Sequence, residues 1–135
     1  MSLYVDSSAL LKRYIDEPQS ARSEEYLQAD PTWITARHSA VEVRRNLARL
    51  LRGAALAEAR ADFEVDWRRF HVVELDETTT EMAAQVAEAT GCRTLDALHL
   101  AAATRVGPSG GLTFLTWDVR QAQVARSLGL TVVGA

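Results

Sequence analysis

The sequence predicts an α/β fold, a three-layer α/β/α sandwich around a central parallel sheet, and three observations carry that expectation. Short apolar runs alternate with segments of helical period along the chain, without an internal repeat, a low-complexity tract or a linker. Repeated strand–helix–strand units of this kind imply right-handed crossovers, which set parallel strands side by side with helices over both faces. One helical segment, Leu95 to Val106, is so apolar on every face that it must lie largely buried. The length of 135 residues suits a single domain, 1–135, able to bury roughly two thirds of its unfolded surface.

Leu3-Tyr4-Val5 is the first predicted strand, and a helix follows from about Ser7 to Tyr14 before Asp16-Glu17-Pro18 interrupts it. Pro18 fits the first turn of a second helix, which runs to about Ala29 and is closed by Asp30-Pro31. Trp33-Ile34-Thr35 reads as a short strand. From Ala36 to Arg52 the apolar positions Ala40, Val43, Leu47, Leu50 and Leu51 keep the helical period, and Gly53 breaks or caps that helix. Another helix spans Ala54 to about Phe70, and Val72-Val73-Glu74-Leu75 is the next strand. Thr78, Thr79 and Thr80 then offer caps for a helix ending at Gly91, and Thr94 is the expected N-cap of the apolar helix from Leu95. After the turn-rich loop Gly107-Pro108-Ser109-Gly110-Gly111 come a strand (Leu112 to Thr116), a helix (Val119 to Leu128) and a last strand, Leu130 to Val133.

Composition narrows the class. With 47% hydrophobic and 24% charged residues the chain has the balance of a globular protein, neither disordered nor fibrous. No apolar stretch approaches the roughly 18 residues a bilayer span needs, and Leu3-Tyr4-Val5-Asp6 follows the start without a basic region or signal core. The expectation is a cytoplasmic protein with no membrane association. A single cysteine, Cys92, rules out an internal disulfide or a multi-cysteine zinc site and reads as an inert thiol.

A net charge of −3 argues against wholesale attraction to nucleic acid, so any such contact must be a patch. Arg45, Arg49 and Arg52, spaced i, i+4, i+7, would form one stripe on a helix and are the RNA-binding candidates, because a guanidinium meets phosphate bidentately. The alternative is a solvated helix face.

Four acids stand where this fold would bring them together at the carboxyl edge of the sheet, the edge at which open α/β sheets bind ligands. Asp6 and Asp118 follow predicted strands, Glu42 lies in a helix, and Asp96 opens the apolar helix. Singly, Asp6 and Asp118 read as helix caps and Glu42 as a surface residue. Asp96 is harder to dismiss, since an aspartate on an apolar helix is rarely buried without a partner. Together they would repel by up to about 4 kcal/mol per close pair at an effective dielectric of 20, a cost that a cation offsets. Hard oxygen ligands with few histidines point to Mg2+ or Mn2+ rather than zinc.

Tyr4-Val5-Asp6-Ser7-Ser8-Ala9-Leu10-Leu11-Lys12, Arg93-Thr94-Leu95-Asp96-Ala97-Leu98-His99-Leu100-Ala101-Ala102-Ala103 and Phe114-Leu115-Thr116-Trp117-Asp118 resemble the three signature stretches of PIN-domain ribonucleases, in particular the small VapC-type toxins of bacterial toxin–antitoxin pairs. The resemblance covers essentially the whole chain. It implies that Asp6, Glu42, Asp96 and Asp118 form the catalytic quartet, with Ser8 and Thr116 in support. It implies a Mg2+- or Mn2+-dependent endoribonuclease acting on cellular RNA, with Asp6, Asp96 and Asp118 as metal ligands and Glu42 and Asp118 holding bound water or a second ion. It also implies a homodimer and a cognate antitoxin whose C-terminal segment blocks the pocket. His99, one turn beyond Asp96, is expected to be structural because the family's chemistry runs through carboxylates.

Other classes fit less well. A haloacid-dehalogenase phosphatase would want an aspartate where Ser8 stands, and a receiver domain needs a lysine on a late strand, whereas Lys12 is the chain's one lysine. A structure-specific DNA nuclease would carry extra helical elements for gripping a duplex. A housekeeping RNA-processing nuclease and a non-catalytic RNA-binding module are the remaining alternatives.

Overall fold

The computed structural model describes residues 1–107 and 111–135, among which five strands are joined by single helices or helix pairs, seven helices in all. The order is β1 (Ser2–Val5), α1 (Ser7–Leu11), α2 (Ser20–Ala29), β2 (Trp33–Ala36), α3 (Ser39–Leu50), α4 (Gly53–Trp67), β3 (His71–Val73), α5 (Glu77–Thr90), α6 (Thr94–Val106), β4 (Leu112–Thr116), α7 (Val119–Ser127) and β5 (Thr131–Gly134). All pairings are parallel, in the spatial order β3-β2-β1-β4-β5. The expected three-layer α/β/α architecture is therefore present.

Alternation along the strands divides the core between two faces. Leu3, Val5, Trp33 and Leu115 pack with Leu10, Leu27, Val43, Leu47 and Phe63 from α1 to α4. Their chain neighbours Tyr4, Ile34 and Phe114 turn the other way, onto Leu100, Ala102 and Ala103 of α6 and Ala125 of α7. The helical layers sit on opposite faces because the strand order reverses after β3. The chain runs outward from β1 to β3, then returns to place β4 on the far side of β1. That reversal opens a crevice at the carboxyl ends of β1 and β4, the switch point at which doubly wound sheets bind ligands.

Several boundaries differ from the sequence expectation. α1 ends at Leu11 rather than Tyr14 and α4 at Trp67 rather than Phe70. Pro18 lies outside α2, which begins at Ser20, because the Ser20 hydroxyl accepts from Glu17 N–H and donates to Ile15 O, holding this stretch as a turn. Ala36 belongs to β2, paired with Val73, so α3 starts three residues later than predicted. Leu51 and Arg52 are extended, and Gly53, at φ +57°, opens α4 instead of capping α3. Asp76 caps α5 by accepting from Thr79 N–H at 2.9 Å, ahead of the threonines, and Arg93 is the N-cap residue of α6 in place of Thr94. β3 and β5 are shifted by one residue at their starts. Of the predicted turn-rich loop, Pro108, Ser109 and Gly110 lie outside the described residues.

Candidate active site

β1 delivers Asp6 and β4 delivers Asp118, one on each side of the crevice. Val5 and Leu115 are in register, and Asp6 N–H donates to Leu115 O at 3.2 Å. Both acids cap the helices that follow. Asp6 Oδ1 accepts from Ala9 N–H at 3.1 Å, and Asp118 Oδ1 accepts from Arg120 and Gln121 N–H at 2.9 and 3.2 Å. The capping and convergence readings therefore hold together, since a carboxylate at a helix N-terminus offers one oxygen to the backbone and keeps the other for the crevice.

Glu42 from α3 and Asp96 from the first turn of α6 complete the group, and all four acids line one cleft of about 260 Å³. Ser8 lines the floor, and Thr116 is fully buried beneath it. Ser8 Oγ donates to Asp6 Oδ1 at 2.7 Å, lies 3.3 Å from Thr116 Oγ1, and accepts from Trp117 N–H. Thr116 Oγ1 in turn accepts from Asp118 N–H at 3.1 Å. Two hydroxyls thus couple the two strand-end acids to one another.

Asp6 and Glu42 are shifted in opposite directions. Asp6 is 4% exposed, and burial pushes its carboxyl above the ordinary aspartate value despite nearby His99 and bonds from Thr116, Ser8 and Ala9. Burial also opposes ionisation of Glu42, yet the His99 hydrogen bond and charge and the Ser7 hydroxyl together hold it below the usual carboxylate range. His99 is therefore a positioning residue. Its Nε2 lies 2.8 Å from Glu42 Oε1 and 3.0 Å from Ser7 Oγ, and its Nδ1 lies 2.8 Å from the Tyr4 hydroxyl. Ser7 Oγ donates to Glu42 Oε1 at 2.5 Å. His38 lies beside His99 with ring centroids 4.1 Å apart and planes tilted by 44°, and burial, then that neighbour, pulls its pKa down to about 4.

His38, Glu42 and His99 bring one ligand atom each within 4.8 Å of one another. The His99 nitrogens are already engaged with Tyr4, Ser7 and Glu42, so a cation held through His99 would break those bonds, whereas the buried His38 Nδ1 has no hydrogen-bond partner.

Three residues at the cleft did not stand out as site residues in the sequence: Ser7, Asn46 and Arg93. Asn46 lies one turn beyond Glu42 on α3, so the helical period alone would have placed it there. Arg93 donates from Nε to Asp96 Oδ2 at 2.9 Å and from Nη2 to Asp118 Oδ2 at 3.1 Å. Nothing local in the sequence signals the second of those bonds.

The arginine stripe is corrected. Arg52 lies beyond α3 and folds back to donate to the carbonyls of Ala48 and Leu51 at 2.9 and 2.8 Å, satisfying the helix end. Arg45 lines a separate recess with Arg44 and Arg60. Only Arg49 reaches toward the cleft, through Asn46 Oδ1 at 3.2 Å.

A sequence profile described as PIN domain matches residues 3–127. Ribonuclease VapC49 of Mycobacterium tuberculosis is 34% identical over 138 residues, covering 98% of this chain and 95% of the relative. The chain belongs to the PIN-domain family, in its VapC branch. Among solved structures, FitAcB from Neisseria gonorrhoeae superposes with a TM-score of 0.77 at 19% identity, over 98% of this chain and 96% of that one. The Mycobacterium tuberculosis sarcin–ricin-loop-cleaving toxin VapC20 gives 0.76 at 16% identity, over 98% and 99%. A toxin–antitoxin complex from Klebsiella pneumoniae gives 0.70 at 14% identity, over 90% and 89%. At such identities these three establish the fold.

Proposed function

We propose that this chain is a divalent-metal-dependent endoribonuclease and the toxin of a type II toxin–antitoxin pair. The observation that carries the reading is the buried Asp6 carboxylate, disfavoured by its surroundings, facing Glu42, Asp96 and Asp118 in one cleft. An all-oxygen donor set of this charge fits a hard divalent ion such as Mg2+ or Mn2+, held by Asp6, Asp96 and Asp118. Such an ion would polarise a phosphodiester and the water that attacks it. Glu42, kept ionised by His99 and Ser7, serves as an acceptor that orients water at the cleft wall. Ser8 holds the Asp6 carboxylate through Oδ1, and Thr116 holds the Asp118 backbone N–H. The crevice suits single-stranded or looped RNA, whose backbone can bend into an acidic notch while flanking phosphates meet exposed cations such as Arg49.

The VapC relationship supports an antitoxin partner, as does the likeness to a solved toxin–antitoxin complex. A cationic segment of that partner would enter the cleft in competition with metal. Leu95 and Val119, each next to a cleft acid, are 48% and 63% exposed, apolar surface suited to a covering partner or a second copy in a homodimer. Among the described residues no helix is long and apolar enough to cross a membrane.

The test is cleavage of single-stranded RNA by the purified chain with Mg2+ or with chelator. Cleavage should require the metal and vanish in D6N and D96N. Metal-independent cleavage, or full activity in both variants, would sink the site. Expression of the wild-type chain alone should halt growth, and growth should return when the neighbouring gene is co-expressed. Harmless accumulation of active protein would instead favour a housekeeping RNA-processing role.

A further inference from the structure

Arg93 stands apart from every other cation of the chain. Its guanidinium spans two of the four carboxylates, and those carboxylates come from different helix starts, 22 residues apart in sequence. It is the one arginine lining the cleft among the described residues, and its side chain is 67% exposed. The same side chain, with Asp96, also lines a second recess of about 230 Å³ that contains Arg120 and Gln121. Arg93 is thus a partition between the acidic cleft and this second recess.

We propose, building on the metal-dependent reading above, that Arg93 is a displaceable internal cation coupling metal loading to RNA binding. In the free protein it offsets the charge of Asp96 and Asp118. Exposed ion pairs are weak, so a divalent ion at the same oxygens displaces the guanidinium. The freed fork remains tethered at the cleft mouth, next to Arg120, where its geometry matches phosphate. Metal and RNA then bind with positive linkage, because metal releases the group that RNA uses, and linkage is reciprocal.

Mn2+ binding to the full chain, read by the paramagnetic resonance signal of the free ion and without RNA, tests the first half. R93Q should bind Mn2+ about 5-fold tighter than wild type. R93K should fall between them, since an ammonium cannot fork across two carboxylates. Adding a single-stranded oligodeoxynucleotide should tighten Mn2+ binding in the wild type and do so several-fold less in R93Q. Equal Mn2+ affinity in wild type and R93Q, with native circular dichroism in both, overturns the proposal, as does an oligonucleotide effect that R93Q leaves intact. D6N and D96N in the same assay separate the two levels. If they bind Mn2+ like wild type, the acidic site itself falls; if they lose binding while R93Q matches wild type, the role of Arg93 alone falls.

Discussion

Asp6 pits a structural bond against an electrostatic penalty, and the two can be separated by one substitution. Asn retains an oxygen for the Ala9 N–H and Ser8 hydroxyl but carries no charge. The folded-state pKa of Asp6 is raised, so the native state is favoured when the carboxyl is protonated and loses that advantage as pH climbs toward the folded value. D6N should therefore melt above wild type at pH 7 without metal, and the gap should close by about pH 3, below the ordinary aspartate value of 3.8. Thermal melts at the two pH values check both statements. The same variant should lose at least about 100-fold in Mg2+-dependent cleavage, the scale expected when a metal's surroundings are broken. At this scale the four acids were legible because each interrupts an apolar context or follows a strand. Arg93 was not, because an arginine before a helix looks like ordinary surface until the fold brings Asp118 beside it. Arg52 misled for a related reason: heptad-like spacing cannot reveal that the helix stops two residues earlier.

Among the elements, the edge strand β5 is held to the site floor by its last residue. Gly134 has φ +101°, and a Cβ there would lie 2.2 Å from the Thr116 carbonyl oxygen, the backbone of a residue whose hydroxyl organises Ser8 and Asp118. G134A should destabilise by about 1–3 kcal/mol and lower cleavage in parallel, checked by denaturant titration beside an activity assay. On the opposite face α6 meets α5 through Ala97, Ala101 and Ala83, small residues that let Asp96 and His99 approach the cleft. A101L should cost about 1–3 kcal/mol through overpacking, measurable by the same titration. Element types were readable from period and propensity, whereas element ends were decided by side chains acting at a distance of three or four residues. Asp76 captured the start of α5 ahead of three threonines, and the Ser20 hydroxyl held the preceding stretch as a turn.

For the molecule as a whole, topology does more than any motif to create the site. The reversal of strand order beside β1 puts Asp6 and Asp118 across one crevice, and α3 and α6, on opposite faces of the sheet, bring Glu42 and Asp96 to its mouth. Sequence alone indicated parallel strands and covered faces but not their lateral order, which depends on how the whole set packs. Because two of the four acids also fasten the helices that follow them, and asparagine fastens a helix as well as aspartate, the chain can be disarmed without being dismantled. A D6N protein would keep the outline that a guarding partner recognises. Produced in a cell that already holds the wild-type pair, it would act as a sponge, drawing the guard away and unleashing the intact copies. Growth should then fail at inducer levels of D6N that are harmless in a strain lacking the wild-type gene, so a variant silent in the test tube would be poisonous by proxy.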